Sequence, residues 1–103
     1  SEIVEDGENM NGLYTRWASG LQICYAAIAL GDDDDYFSWT FPAQFKERYF
    51  ASGTVRRSTT NFESHDVTES TSVSYVNSQF NCRINSQVKS NRSLYLFAIG
   101  RWK

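Results

Sequence analysis

Apolar and polar side chains alternate along much of this chain, and a two-residue alternation is the spacing of β-strands. Phe80, Cys82 and Ile84 share one parity, while two asparagines and an arginine occupy the other. Residues 36–41 repeat the pattern with three aromatic rings on one parity. No long window carries the 3.6-residue apolar period of a helix, so the pattern predicts an all-β protein.

The first part of the chain predicts a β-hairpin. Residues 13–17 and 21–29 are strand-like, and the small residues 18–20 form a turn between them. The second strand is apolar on both faces from Tyr25 onward. That composition is typical of a strand in the middle of a sheet.

The remaining segments predict further strands separated by polar loops. Residues 31–35 contain four adjacent aspartates, which repel one another and predict an exposed loop. Residues 45–50 are predicted to be an irregular piece or a helical turn, and residues 53–61 a polar strand or loop. Residues 66–76 alternate as a half-exposed strand, and residues 94–102 form a ring-rich strand that closes the chain. Six or seven short strands favour a small antiparallel β-sandwich, with a small barrel as the alternative.

Composition narrows the possible functions. The 103 residues leave room for one domain, and 16% of them are aromatic, more than a small core encloses. Some rings are therefore expected in a subunit interface or a binding surface. A net charge of −2 argues against nucleic-acid binding, and no uninterrupted apolar run is long enough to span a bilayer. The acidic residues 1–9 are interpreted as a lead-in or linker, and residues 10–103 as a single domain.

The two cysteines give no sign of metal or redox chemistry. Cys24 and Cys82 lie in different predicted strands, without CxxC spacing or a nearby histidine. We expect two free, buried thiols. A disulfide is the alternative if the two strands are neighbours.

Three short segments carry a family resemblance. Residues 11–24, NGLYTRWASGLQIC, match an opening hairpin of the form N-G-x-Y followed by a turn glycine and an isoleucine. Residues 37–45, FSWTFPAQF, match a T-F-P-x-x-F segment, and residues 98–103, AIGRWK, match a closing segment. Together they bracket nearly the whole chain, which resembles the C-terminal receptor-binding tip domains of bacteriophage tail fibres.

The resemblance implies an H-type-lectin-like β-sandwich assembled as a parallel homotrimer. It also implies a place at the distal end of a virion's tail fibre, with the fibre shaft upstream. The implied partner is a bacterial surface polysaccharide or lipopolysaccharide. With this family in view, we expect residues 94–99 to be a central strand. We expect Trp102 to pack near the opening hairpin or against a neighbouring subunit.

Candidate ligand contacts come from the polar loops. An aspartate accepts hydrogens from paired sugar hydroxyls while an aromatic ring stacks on the sugar, which makes Asp34, Asp35 and Tyr36 candidates. For the aspartates, a solvated loop or a divalent-cation site is the alternative. Arg57 is a candidate for binding an anionic glycan or phosphate, with a surface salt bridge as the alternative. His65, the one histidine, is either a sugar contact or a hydrogen-bonding loop residue.

Catalysis is not expected. Ser64, His65 and Asp66 have the residue types of a hydrolase triad, but adjacent side chains on a strand diverge. We therefore expect a protein that is not an enzyme and uses no cofactor or metal. The sequence predicts a fibre tip that attaches non-covalently to a bacterial surface glycan. The alternative is a trimerisation or capping domain at the fibre end without its own receptor site.

Overall fold

The computed structural model describes residues 1–31, 34–57, 65–69, 76–86 and 91–103. The predicted all-β class is confirmed. The strands described are β1 (Ile3–Asn9), β2 (Gly12–Trp17), β3 (Leu21–Leu30), β4 (Tyr36–Thr40), β5 (Glu47–Arg57), β6 (His65–Glu69), β7 (Gln79–Ser86) and β8 (Arg92–Arg101). Strands β2 to β8 match the expected six or seven, and β1 lies inside residues 1–9, the segment interpreted above as a lead-in or linker. Over the same described ranges, no helix is long and apolar enough to cross a membrane.

The strands form two antiparallel sheets that pack as a sandwich. The larger sheet has the order β1-β2-β3-β8-β5, and the smaller has the order β4-β7-β6. The predicted hairpin is β2 and β3, which pair through Leu13 and Tyr25 at one end and Arg16 and Gln22 at the other. Strand β8 pairs with β3 on one side and β5 on the other, so its predicted central position is confirmed.

The core lies between the sheets and is built from alternate, inward-facing residues. The larger sheet contributes Cys24, Val55, Leu94, Leu96 and Ala98, and the smaller contributes Trp39, Phe80, Cys82 and Ile84. Phe41 and Phe45, from the connection between β4 and β5, extend this core as a chain of edge-to-face rings. The ring centroids of Trp39 and Phe41, and of Phe41 and Phe45, are 5.0 Å apart.

Strand β5 begins earlier than the sequence predicts. The irregular piece or helical turn predicted for residues 45–50 is wrong from Glu47 onward, where the chain pairs with β8. The register shifts between Arg48 and Phe50, as in a β-bulge. Tyr49 and Phe50 are consequently both exposed, so the two-residue alternation that identifies a strand is lost at this point.

The C-terminus is anchored to the opening hairpin, which confirms the first of the two alternatives expected for Trp102. Trp102 Nε1 donates a hydrogen bond of 2.8 Å to Trp17 O, and the Trp102 amide donates one of 2.9 Å to Gly20 O. The Arg16 guanidinium lies 5.3 Å from the centre of the Trp102 ring. These contacts hold the end of the chain against the β2–β3 turn.

Both cysteines are free and buried, as expected. Cys24 lies in the larger sheet and Cys82 in the smaller one. Burial raises the pKa of each thiol to about 11. Both groups therefore stay protonated at neutral pH and are poor nucleophiles.

Candidate functional site

The fold brings the five candidate residues to one end of the sandwich. Strands β3, β5 and β7 end there, and the strand that follows each of them begins in the opposite sheet. The five candidates are Asp34, Asp35, Tyr36, Arg57 and His65. We call this end, with the strand termini that flank it, the loop end.

Arg92, at the start of β8, holds the β3–β4 connection in place. Its side chain is buried, and Nη2 donates hydrogen bonds of 2.8 Å to Gly31 O and 3.0 Å to Asp34 O. The Ile84 amide donates a bond of 2.7 Å to Asp35 O. The aspartate loop is thereby tied to the start of β8 and to β7, so its described residues have a defined geometry.

The Asp34 carboxylate takes part in the same loop structure. Its Oδ2 accepts a hydrogen bond of 2.7 Å from the Gly31 amide, while the Asp34 amide donates to Gly31 O at 3.2 Å. Among the described residues, no group of three or more His, Cys, Asp or Glu is placed to hold a metal ion. Asp32 and Asp33 lie outside the described residues.

Tyr36 presents an exposed ring at the loop end. It is 63% exposed at the start of β4 and pairs with Arg83 of β7, whose guanidinium lies 5.8 Å from the ring centre. Further hydroxyl and amide side chains occupy the same outward parity of these two strands: Ser38, Thr40, Gln79, Asn81 and Asn85. Strands β4 and β7 therefore present a polar outer surface that begins at the Tyr36–Arg83 pair.

Arg57 and His65 are placed by their backbones. Arg57 ends β5 opposite Arg92, and His65 begins β6 opposite Ser86. Their side chains lie outside the described part of the structure. The fold therefore brings both positions to the loop end, and their roles as ligand contacts stay predictions.

Sequence reasoning missed Arg83 and Arg92. The signal for Arg83 was present, since alternation puts it on the outward parity of β7. Its partner Tyr36 comes from a strand more than forty residues earlier, and only strand pairing joins them. Arg92 had no local signal, because a buried arginine beside a polar segment has the pattern of a loop residue.

Large apolar side chains cluster on the outer face of β3, β8 and β5 in the larger sheet. Tyr25 of β3 pairs with Phe97 of β8, and they are 44% and 37% exposed. Tyr95 is 41% exposed, and Phe50 of β5, opposite Ile99, is 54% exposed. We call the four residues of β5 and β8, which are Phe50, Tyr95, Phe97 and Ile99, the apolar face; Tyr25 of β3 lies at its border. Such a cluster of large side chains commonly marks an interaction surface.

Comparison with known proteins identifies the fold. No protein-family model and no curated protein sequence matches the chain. The structure is similar to a P. aeruginosa R1 pyocin fibre structure that comprises C-terminal residues 323–701, with a TM-score of 0.66 and 16% sequence identity. The match covers 94% of this chain and 28% of the fibre fragment. The chain thus has a fold found in the C-terminal part of a pyocin fibre, and it spans less than a third of that fragment's length.

Proposed function

We propose that this chain is the receptor-binding tip domain of a tail fibre, in a bacteriophage or a phage-derived particle. In this proposal it lies at the distal end of the fibre, downstream of the shaft, and its sandwich is H-type-lectin-like. It attaches to a bacterial surface polysaccharide or lipopolysaccharide without catalysis and without a cofactor. The fold shared with a pyocin fibre supports the fibre assignment.

The convergence at the loop end is the observation that carries the attachment site. A ring that is 63% exposed at Tyr36 can stack on the apolar side of a sugar. The Arg83 guanidinium beside it offers paired N–H donors for hydroxyl, carboxylate or phosphate oxygens. Arg92 fixes the adjoining loop, so little conformational freedom is lost when a sugar binds.

We propose that the loop-end contacts act in triplicate, in a parallel homotrimer assembled through the apolar face. Burial of Phe97, Tyr95 and Phe50 removes large rings from water, at roughly 25 cal/mol per Å² of apolar area. The polar outer surface of β4 and β7 stays in solvent. Three linked copies raise the apparent affinity through effective concentration, which compensates for weak individual glycan contacts.

Replacing Phe97 by aspartate is expected to convert the trimer to monomers, because a carboxylate would enter the middle of the apolar face. Light scattering coupled to size exclusion measures this directly. Tyr36→Asp is the matched control, since it also puts aspartate at an exposed ring but on the other sheet, and it should leave the trimer intact. A wild-type chain that is monomeric at all accessible concentrations contradicts the trimer.

Alanine at Tyr36 or at Arg83 is expected to reduce host adsorption at least tenfold, because each change removes one half of the stacked pair. Adsorption of the assembled fibre and binding of the chain to a glycan array are the measurements. Asp34→Asn, Asp35→Asn, Arg57→Ala and His65→Ala test the remaining candidates. Tyr49→Ala is the control, because Tyr49 is 58% exposed at the opposite end of β5.

The outcomes separate attachment from two other functions. If all loop-end variants adsorb normally, the domain is a trimerisation or capping domain and the attachment proposal is wrong. If the wild-type chain releases reducing sugar from host polysaccharide, the non-enzymatic proposal is wrong. Loss of adsorption at the loop end without sugar release supports attachment.

A further inference from the structure

An open groove of about 550 Å³ lies on the outer side of β1, β2 and β3, away from the loop end. Its volume is in the range of small-molecule sites, which is roughly 300–1,000 Å³. The lining residues that matter here are Asp6, Glu8, Leu13, Thr15, Trp17 and Tyr25. The groove thus combines aromatic rings and apolar surface with carboxylates.

Strand register explains why these residues share the groove. Glu8 lies opposite Leu13, which in turn lies opposite Tyr25, so the three form one row across the sheet. Asp6 lies opposite Thr15 in the next row. Trp17 is four residues beyond Leu13 along β2, roughly 14 Å at 3.4 Å per residue. The groove therefore offers a ring at each end and two carboxylates along one wall.

The groove carboxylates of Asp6 and Glu8 differ from that of the neighbouring Glu5 in their interactions. Glu5 accepts a hydrogen bond from Tyr14 and one of 3.1 Å from Arg16, and the Tyr14 bond lowers the pKa of Glu5. Within the described residues, Asp6 and Glu8 form no ion pair, and no lysine or arginine lines the groove. Their oxygens therefore remain available to accept hydrogen bonds from a ligand.

We propose that this groove is a second saccharide site, and that it takes a neutral, hydroxyl-rich oligosaccharide. Trp17 and Tyr25 provide surfaces for the apolar sides of sugar rings, and Asp6 and Glu8 accept hydroxyl hydrogens. Two uncompensated carboxylates repel a uronate or a phosphosugar, so the groove selects against anionic glycans. The inference rests on the proposed attachment function, which it extends to a separate surface.

The test is a titration of the chain, as purified, with neutral hexose di- and trisaccharides and with their uronic-acid counterparts. Saturation-transfer NMR and calorimetry report binding. Wild-type protein should bind at least one neutral oligosaccharide and bind the acidic counterpart at least tenfold more weakly. In the Asp6→Asn, Glu8→Gln double variant, affinity for the neutral sugar should fall at least tenfold, and the discrimination against the acid should disappear.

Two further variants separate the groove from a general loss of structure. Tyr25→Ala should weaken neutral-sugar binding at least tenfold, whereas Glu2→Gln, which removes an acidic charge from an exposed residue that does not line the groove, should leave it unchanged. The groove proposal is wrong if the wild-type protein binds no neutral sugar or prefers the acidic one. It is also wrong if the double variant binds the neutral sugar as tightly as the wild type. Tyr36→Ala and Arg83→Ala should keep groove binding. If only those two variants lose saccharide binding, the groove is wrong while the proposed function stands.

Discussion

Replacing Gly100 by alanine is expected to destabilise the protein by about 3 kcal/mol or more, a large fraction of the stability of a small domain. A Cβ at Gly100 would lie 2.2 Å from Glu47 O, 2.9 Å from Arg48 Cα and 3.0 Å from Phe45 Cδ1. Two of these three atoms belong to the main chain of β5, so the added methyl requires β5 and β8 to separate. Thermal or urea unfolding followed by circular dichroism measures the loss.

Gly31→Ala is the matched control for this substitution. The nearest atom to a Cβ there is the Asp34 carboxylate oxygen at 3.0 Å, which belongs to an exposed side chain that can move at the cost of one exposed hydrogen bond to the Gly31 amide. We expect a loss below about 1 kcal/mol. A Gly100→Ala protein that melts within a few degrees of the wild type would show that the two strands accommodate the methyl without cost.

The close approach of β5 to β8 at Gly100 also explains why the start of β5 was not predicted from the sequence. The β2–β3 hairpin was predicted correctly, because a short turn between two strand-like segments is a local signal. The central position of β8 was predicted from the family resemblance. The start of β5 was not predicted, because its bulge exposes Tyr49 and Phe50 together. The bulge depends on how β5 meets β8, and no local pattern contains that contact.

The candidate site was likewise predicted only in part from the sequence. Tyr36 was identified from its neighbours, and the structure places it, exposed, where the aspartate loop ends. That Asp34, Arg57 and His65 lie at the same end depends on three connections crossing between sheets, which strand patterns do not specify. Arg83 depends on non-local pairing in the same way. The sequence therefore supplies the candidate residues and the topology brings them to one end, while their roles as ligand contacts stay predictions.

Replacing Trp39 by alanine is expected to cost about 3–5 kcal/mol, the range for a large aromatic side chain removed from a core. Trp39 is 2% exposed, and its ring packs edge-to-face on Phe41 at 5.0 Å. Its Nε1 also donates a hydrogen bond of 2.7 Å to Asn11 O, in the turn between β1 and β2. The variant loses core packing and a hydrogen bond that links β4 to the β1–β2 turn at once, and its melting temperature should fall by more than 10 °C.

Trp39→Phe separates these two contributions. Phenylalanine keeps most of the ring packing but has no donor for Asn11 O, so we expect a loss of about 1–3 kcal/mol from the hydrogen bond and the smaller volume. Tyr36→Ala, on the same strand but at a side chain that is 63% exposed, should lower the free energy of unfolding by less than about 1 kcal/mol. That result is also what the attachment test needs, because a stable Tyr36→Ala protein assigns any loss of adsorption to the surface. If Trp39→Phe is as unstable as Trp39→Ala, the tie to the β1–β2 turn outweighs core packing, contrary to this prediction.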